Sequence, residues 1–294
     1  MDYTHAEWKG RTGGTTLMQR ALVGLLRHTD VRVLYFCMAW VVPFYMLFSH
    51  KGYVASYHYF HRRLGHRPVS AFLHVYANHF RFGQVIIDRF AMFAGRHFRF
   101  EVEGQELFDQ LEQGTEGFVQ LSSHVGNYEL AGYSLTPRHK CFYALVFGGE
   151  TATMQRGRSR LFDVGRVTMV PVSEDMSHIF VLSDALGNGH IVSMPGDRIF
   201  GSPRAVSCQL LGATARFPLG PFAMAVQREV PLLAVFVLKE SAQTYRIVVR
   251  RVEADSQLPR RERMEALARS FATHLDAVLR RYPHQWFNYY EFWQ

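Results

Sequence analysis

The stretch from Gly117 to Leu130, GFVQLSSHVGNYEL, combines the residue types that proton transfer requires. An apolar run typical of a strand ends at Leu121, and His124 follows where the chain is expected to turn into a helix carrying Glu129. Ligands of parallel α/β sheets bind at the carboxyl ends of the strands. A histidine there can act as a general base if a carboxylate orients its ring and stabilises the imidazolium. The spacing therefore predicts His124 as the base and Glu129 as its partner.

The neighbours of His124 indicate how the rest of such a reaction would be supported. Gly126 and Asn127 fall at the start of the expected helix, where the first amide N–H groups have no partner within the helix. We therefore expect these two amides to stabilise a developing oxyanion. Ser122 and Ser123 also lie close to His124, but no G-x-S-x-G sequence surrounds them, which disfavours a serine hydrolase.

A second polar stretch, MPGDRIFGSPR, runs from Met194 to Arg204 after another expected strand. Arg198 and Arg204 are candidates to bind a phosphate or another anionic group, bidentately where the geometry allows. The sequence leaves open which of the two arginines meets the substrate.

Each candidate also has a purely structural interpretation. His124 can be a packed histidine, and Glu129 can be an acid in the first turn of a helix, which the helix dipole favours. With 15 histidines and 25 acidic residues in 294, chance yields about one His-x4-acid match, so the spacing does not decide alone. Arg198 and Arg204 can be solvated loop residues. A basic cluster at Arg156, Arg158 and Arg160 also has two interpretations. It can recruit an acidic carrier protein or lipid headgroups, or it can be a solvated run of charges.

The sequence from His124 to Glu129, HVGNYE, resembles the HX4D/E motif of glycerolipid acyltransferases, in particular the bacterial lipid A late acyltransferase (lauroyl/myristoyl transferase) family. The second stretch is similar to that family's Asp-x-x-aromatic-Gly sequence with a following arginine. The matching positions are Asp197, Phe200, Gly201 and Arg204.

The second stretch is also similar to the Phe-Pro-Glu-Gly-x-Arg block of broader phospholipid acyltransferases through Pro195, Gly196 and Arg198. It departs from that block because the glutamate is missing and Met194 replaces phenylalanine. Weaker likenesses extend over most of the chain: Val230 to Val235, Trp8, Gly13 and Gly14, Tyr282 and Pro283, and Gln285 and Trp286.

The resemblance implies a transferase that moves a fatty acyl chain from acyl carrier protein or coenzyme A to a hydroxyl or amine of a membrane lipid. It implies substrate-binding roles for Asp197, Arg198, Gly201 and Arg204, at the cytoplasmic face of a bacterial inner membrane. No metal and no resident cofactor is expected, since attack on a thioester needs only a base and an oxyanion donor. A lipid A precursor, an acylated amino-acid lipid and an aryl polyene-type lipid all stay open as acceptors, as does the acyl-chain length.

Hydrophobic patterning predicts the elements that must position these residues. Strands alternating with helices indicate an α/β fold with a largely parallel sheet flanked by helices. The predicted strands are Phe118 to Leu121, Cys141 to Val146, Val167 to Val172, His190 to Met194, Pro231 to Leu238 and Tyr245 to Arg250. The predicted helices are Ser70 to Ala94, Val125 to Gly132, Asp175 to Leu186, Pro221 to Arg228 and a final amphipathic helix that ends before Pro283.

The first hundred residues predict contact with a membrane. Val33 to Ser49 contains no charged residue, and its length is at the lower limit for a spanning helix, so an interfacial or partly inserted hairpin, a single span and a buried helix all stay open. Basic residues flank the stretch on both sides, which gives no orientation. We divide the chain into a helical membrane-associating section, 1–100, and an α/β catalytic domain, 101–294.

Composition limits the remaining classes. A net charge of +8 suits an anionic partner, and 48% apolar residues supply a full core, which excludes a disordered chain. Three scattered cysteines argue against a disulfide framework or a CxxC zinc site. The alternative to an enzyme is a non-catalytic, basic protein that binds lipid at the membrane surface. Nucleic acid is not expected as a partner, because no recognised motif for it occurs.

Overall fold

The computed structural model describes residues 15–130, 135–146, 166–173, 175–199 and 204–293. Over these residues the helices are α1 (Thr16–His28), α2 (Val31–Phe48), α3 (His50–His58), α4 (Pro68–Phe93), α5 (Gln105–Gln113), α6 (Ser177–Gly187), α7 (Gly220–Arg228) and α8 (Arg260–Arg281). A π-helical turn (Tyr59–Arg63) follows α3, and two 3₁₀ turns occupy Tyr128–Leu130 and Pro283–Gln285.

A seven-stranded sheet forms the centre of the molecule. Its strands are β1 (Arg99–Glu103), β2 (Phe118–Ser122), β3 (Phe142–Val146), β4 (Val167–Pro171), β5 (Ile191–Pro195), β8 (Leu232–Lys239) and β9 (Thr244–Val252). They lie side by side in the order β1-β9-β8-β2-β5-β3-β4. The five strands from β8 to β4 run parallel, whereas β9 is antiparallel to β8 and carries β1 parallel to itself. A separate hairpin pairs β6 (Ala205–Leu210) with β7 (Ala213–Pro218).

The predicted α/β class with a mostly parallel, helix-flanked sheet is confirmed, and all six predicted strands are present within two residues of their bounds. The sequence pattern missed β1 and the β6–β7 hairpin. The predicted helix from Val125 is wrong in its described part, because Val125 and Gly126 each form an isolated bridge to another segment and only a short 3₁₀ turn follows.

Both faces of the sheet are buried, which explains why the central strands are nearly continuous apolar runs. Every residue of β8 is buried. Its alternate side chains Phe236 and Leu238 pack with α7 and α8 on one face, and Val235 and Val237 pack with Phe108 of α5 on the other. The sheet is therefore rigid at the point where the candidate residues emerge.

Helix α2 presents two different faces. Tyr35, Val42 and Met46 are buried, whereas other large apolar side chains of the same helix are more than half exposed: Phe36, Trp40, Phe44, Leu47 and Phe48. Among the described residues α2 is the one helix long and apolar enough to cross a membrane, with 18 residues and a mean hydropathy of 1.7. That criterion rests on length and composition alone. The structure therefore confirms an apolar N-terminal helix suited to membrane association.

Candidate active site

The register of β2 and β5 brings His124 next to Asp197. Ser122 at the end of β2 pairs with Pro195 at the end of β5, and each candidate follows its strand end by two residues. Gly196 N donates to Ser122 O at 2.8 Å, which continues the pairing beyond the strands. The two side chains therefore meet at the carboxyl edge of the sheet, where parallel sheets bind their ligands.

Asp197 holds His124 through both carboxylate oxygens. Its Oδ1 lies 2.9 Å from His124 Nδ1, and its Oδ2 accepts the backbone N–H of His124 at 2.8 Å. The Asp197 side chain is 1% exposed, whereas the His124 side chain is 20% exposed. With Nδ1 occupied, His124 Nε2 makes no hydrogen bond within the part of the chain that the structure describes, and it is the nitrogen available to a substrate.

Glu129 stands in a different environment from the one that its spacing predicts. Its Oε2 lies 3.0 Å from Nε of Arg89 on α4, and both side chains are about 15% exposed. The carboxylate found on the His124 ring is that of Asp197, 73 residues away along the chain. The spacing prediction is therefore corrected in one respect: orientation of the imidazole falls to Asp197, and Glu129 forms an ion pair with α4.

The predicted oxyanion amides are already occupied. Gly126 N donates to Gln285 O at 2.7 Å, and Asn127 N donates to Val237 O at 2.8 Å. The expectation that Gly126 and Asn127 stabilise an oxyanion is therefore corrected, because the segment is bridged into the sheet instead of starting a helix.

Only glycine fits at position 126. Its φ is +62°, and a Cβ there would lie 1.9 Å from the carbonyl oxygen of Val237. The left-handed conformation and the close approach to β8 both exclude a side chain. Gly126 therefore serves to turn the chain against β8 directly after His124.

The C-terminal segment completes the site from the other side. Val125 forms an antiparallel bridge with Trp286, and Phe287 N donates to His124 O at 2.9 Å. The Trp286 Nε1–H group donates to Asp197 Oδ2 at 3.2 Å. The aromatic C-terminal segment therefore docks on the body of the protein.

The family model described as bacterial lipid A biosynthesis acyltransferase matches residues 86–294, which include both stretches that meet at the site. This chain belongs to that family. No curated protein matches the chain closely enough to count as a relative. The enzyme is therefore an acyltransferase of the lipid A biosynthesis type, and the matched region begins within α4.

Burial and charge keep the His124 ring of this acyltransferase neutral. Burial lowers the pKa of His124 below its ordinary value of 6.5 and nearby Arg198 lowers it further, while Asp197 opposes both. Burial would raise the pKa of Asp197, but the side-chain and backbone hydrogen bonds from His124, the charge of nearby Arg198 and the attraction to the imidazolium whenever His124 is protonated together hold that pKa below its usual range. A neutral imidazole beside an ionised carboxylate is the state that a general base requires.

The two candidate arginines lie differently in the acyltransferase. Arg198 follows Asp197 directly, and its guanidinium carbon is 5.5 Å from the centre of the Tyr290 ring. Arg204 is an exposed residue just before β6. Gly201, Phe200 and the cluster at Arg156, Arg158 and Arg160 lie outside the described residues. Arg198 is thus the arginine that the structure brings to the His124–Asp197 pair.

Sequence reasoning assigned no role to Arg89 or Trp286, the two partners that complete the site. Trp286 was named only as one of the weaker likenesses to the family, without a role, and Arg89 is one basic residue on an apolar helix. Among the described residues no group of three or more His, Cys, Asp or Glu side chains could hold a metal ion. A cleft of about 590 Å³ between Glu116, Arg251 and Asp255 lies at the opposite edge of the sheet, away from His124.

Proposed function

We propose that this enzyme transfers a fatty acyl chain from an acyl thioester to a hydroxyl of a lipid A precursor, with His124 as general base. The observation that carries the proposal is the neutral, partly exposed His124 ring held by a buried, ionised Asp197. Membership of the lipid A biosynthesis acyltransferase family supports the reaction class. Acyl carrier protein or coenzyme A carries the donor chain.

The reaction needs one proton movement in each direction. His124 Nε2 removes the proton of the acceptor hydroxyl as its oxygen attacks the thioester carbonyl. When the C–S bond breaks, the same proton returns to the departing thiolate, so the products are an ester and a free thiol. Asp197 stabilises the imidazolium between the two steps. No covalent acyl-enzyme is formed, and both proton transfers are carried by His124.

Arg198 is the proposed contact for the anionic headgroup of the acceptor. Its charge lies close enough to lower the pKa of His124, so it is near the reacting atoms. A guanidinium can bind a phosphate bidentately and fix its orientation. A bound phosphate would offset the charge of Arg198 and raise the basicity of His124 when substrate is present. Replacement of Arg198 by lysine is expected to raise KM for a phosphorylated acceptor more than it lowers kcat.

The test is acyl transfer by purified variants. His124→Ala is expected to lower kcat by about 100-fold to 10,000-fold, since a positioned general base contributes that much. His139→Ala, a change at an exposed histidine, is the matched control and should keep full activity. Acyl carrier protein and coenzyme A donors are compared, and the product is identified by mass spectrometry. Full activity of a folded His124→Ala protein contradicts the proposal, and vesicle binding without consumption of any donor supports the non-catalytic alternative.

We also propose that α2 lies in the membrane interface and does not span the bilayer. Its buried face is tied to the body of the protein, because the Tyr35 hydroxyl donates to Asp88 on α4 and lies 3.0 Å from Lys239 Nζ at the end of β8. Its opposite face exposes Phe36, Trp40 and other apolar side chains. A helix with one apolar exposed side and basic residues nearby binds anionic lipid in the plane of the surface.

Flotation with vesicles that contain anionic lipid tests whether α2 binds at the membrane interface. Phe44→Asp is expected to weaken binding at least tenfold, since Phe44 is 63% exposed on the proposed lipid face. Phe180→Asp is the matched control, because Phe180 is 75% exposed on α6. Single cysteines introduced at Arg32 and Ser49, in a cysteine-free background, should react from the same side of sealed inner-membrane vesicles. Labelling of the two positions from opposite sides contradicts the interfacial position of α2 and indicates that the helix spans the bilayer once.

A further inference from the structure

The C-terminal segment lies on the loop that carries His124. Gly126 N donates to Gln285 O, and Phe287 N donates to His124 O, so Trp286 stands opposite Val125 as in an antiparallel ladder. The Gln285 side chain adds two hydrogen bonds to the backbone of Lys239, at 2.8 Å and 2.9 Å. The segment is therefore fixed to β8 and to the His124 loop at once.

Trp286 reaches the carboxylate of Asp197 from this position. Its Nε1–H group donates to Oδ2, the same oxygen that accepts the backbone N–H of His124, which leaves Oδ1 for the His124 ring. The indole is 3% exposed. Its ring centre lies 5.3 Å from that of Tyr59, 5.0 Å from that of Phe292 and 5.6 Å from that of Trp293. The indole therefore has little freedom to move, and its N–H direction is set by packing.

We infer that Trp286 is a positioning residue for acyl transfer: its indole N–H holds Asp197 Oδ2 so that Oδ1 faces His124 Nδ1, and it tunes the basicity of His124 through that carboxylate. The inference rests on the proposed role of His124 as base. It concerns a hydrogen-bond donor that never touches the substrate and acts only through Asp197.

The direction of the effect follows from the groups that face His124. These are the carboxylate of Asp197, the guanidinium of Arg198 and the ring of Tyr128, while the Tyr290 hydroxyl donates to the Asp197 backbone carbonyl. A donor on Oδ2 withdraws negative charge from the carboxylate. Loss of that donor leaves more negative charge for the imidazolium and raises the pKa of His124. A hydrogen bond to a charged group is worth roughly one to two pKa units. Because the indole acts on His124 only through Asp197, we expect the smaller part of that shift to reach the His124 pKa.

The experiment is a pH titration of His124 by NMR in full-length protein labelled at histidine Cε1. The signal is assigned by its absence in His124→Gln. Trp286→Phe removes the N–H group and keeps an aromatic ring in the cluster. Trp293→Phe is the matched control, because its Nε1–H donates to Leu210 O at 3.0 Å within the same cluster and away from Asp197.

We expect Trp286→Phe to raise the His124 pKa by about half a unit to one unit, and the acid limb of kcat/KM to move by the same amount. Trp293→Phe should leave both unchanged. In an Asp197→Asn background the effect of Trp286→Phe should vanish, since the two act through one contact. Equal shifts in both tryptophan variants, or an effect that persists without Asp197, would overturn the inference.

The design separates this inference from the proposed function. If His124→Ala kept full activity, the proposed base would be wrong, yet the NMR titration would still report whether Trp286 acts on His124. If His124→Ala were inactive and Trp286→Phe shifted nothing, the positioning role alone would fail. Thermal unfolding of both tryptophan variants shows whether either change acts through lost packing.

Discussion

Two buried carboxylates in this enzyme, Asp88 and Asp197, are each paired with a basic side chain, but the two pairs differ in their access to solvent. Asp88 on α4 is fully buried and contacts Lys239 Nζ, the Tyr35 hydroxyl and the Tyr245 hydroxyl. Asp197 is 2% exposed and contacts His124 twice and Trp286 once. Each carboxylate thus has a basic partner and hydrogen bonds from aromatic residues, as a buried charge requires.

The difference lies in the basic partner. The Lys239 side chain is 1% exposed, and it has no surface from which a substrate could be reached. Burial raises the pKa of Asp88 in spite of the Lys239 charge, and burial lowers the pKa of Lys239. His124 keeps 20% of its side chain exposed and uses only one ring nitrogen for Asp197. The first cluster joins α2, α4, β8 and β9, whereas the second leaves Nε2 of a partly exposed ring without a hydrogen bond from the described residues.

The largest expected effect comes from breaking the Asp88 cluster. Lys239→Met should destabilise the protein by about 3–5 kcal/mol, because it leaves a buried carboxylate without its counter-charge. The double variant Asp88→Leu/Lys239→Met should recover most of this loss, since neither charge is then buried. Urea unfolding measures both values.

The matched control for that experiment is Arg261→Ala. Arg261 forms a 3.3 Å ion pair with Glu265 at a side chain that is 89% exposed, and its loss should cause no measurable change. A Lys239→Met protein as stable as this control would show that the buried Asp88–Lys239 pair does not contribute to the stability of the fold.

The second largest effect is expected at Asp197, where a substitution should lower activity much more than stability. Asp197→Asn should lower kcat by about 100-fold to 1,000-fold, since an amide can neither balance the imidazolium nor fix the ring tautomer. Its loss of stability should be smaller than that of Lys239→Met, because no unpaired charge is left buried. Steady-state kinetics and urea unfolding of the same preparations test both parts. An Asp197→Asn enzyme with full kcat contradicts the assignment of Asp197 as the partner of His124.

Acidification should loosen the tail that carries Trp286. Burial, with His74 and Arg81, lowers the pKa of His284 to about 4, and His284 Nε2 lies 2.6 Å from His74 Nδ1. The folded protein therefore binds fewer protons than the unfolded chain below the ordinary pKa of 6.5. Stability is thus lost as the pH falls from about 6.5 towards 4.

Urea unfolding at a series of pH values measures this dependence. His284→Asn should flatten the curve between pH 6.5 and 4, because the titrating group is removed. His97→Ala, at an exposed histidine, is the control and should keep the slope of the unaltered protein. An unchanged slope in His284→Asn would show that other groups dominate the acid response.

The smallest expected effect shows which carboxylate, Asp197 or Glu129, shifts the pKa of His124. Glu129→Gln should leave the His124 pKa unchanged, because Glu129 pairs with Arg89 and does not contribute to that pKa. Asp197→Asn should lower it, since the carboxylate charge that raises it is removed. The histidine NMR titration measures both. A shift in Glu129→Gln equal to that in Asp197→Asn would restore the pairing that the spacing predicts.

Local patterns predicted the parts of the fold that depend on short stretches of chain. The strands β2 and β5 are apolar runs that local patterning predicts. His124 and Asp197 were recognised as candidates because each belongs to a polar stretch that follows one of these strands. The hairpin β6–β7 was missed because Ser207, Gln209 and Arg216 on its exposed side weaken the apolar signal. The helix expected after His124 failed because Gly126 turns the chain against β8, a contact that no local pattern shows.

The sequence alone determined the class of fold, the uncharged apolar stretch that forms α2 and the position of His124 at a strand end. Only the tertiary structure decided which acid meets its ring, because a motif records spacing along one segment whereas strand pairing joins segments far apart. Asp197 is 73 residues from His124, and Trp286 is 89 residues beyond Asp197. Parallel pairing of β2 with β5 and the return of the C-terminal segment bring the three together, and these depend on the packing of the whole core.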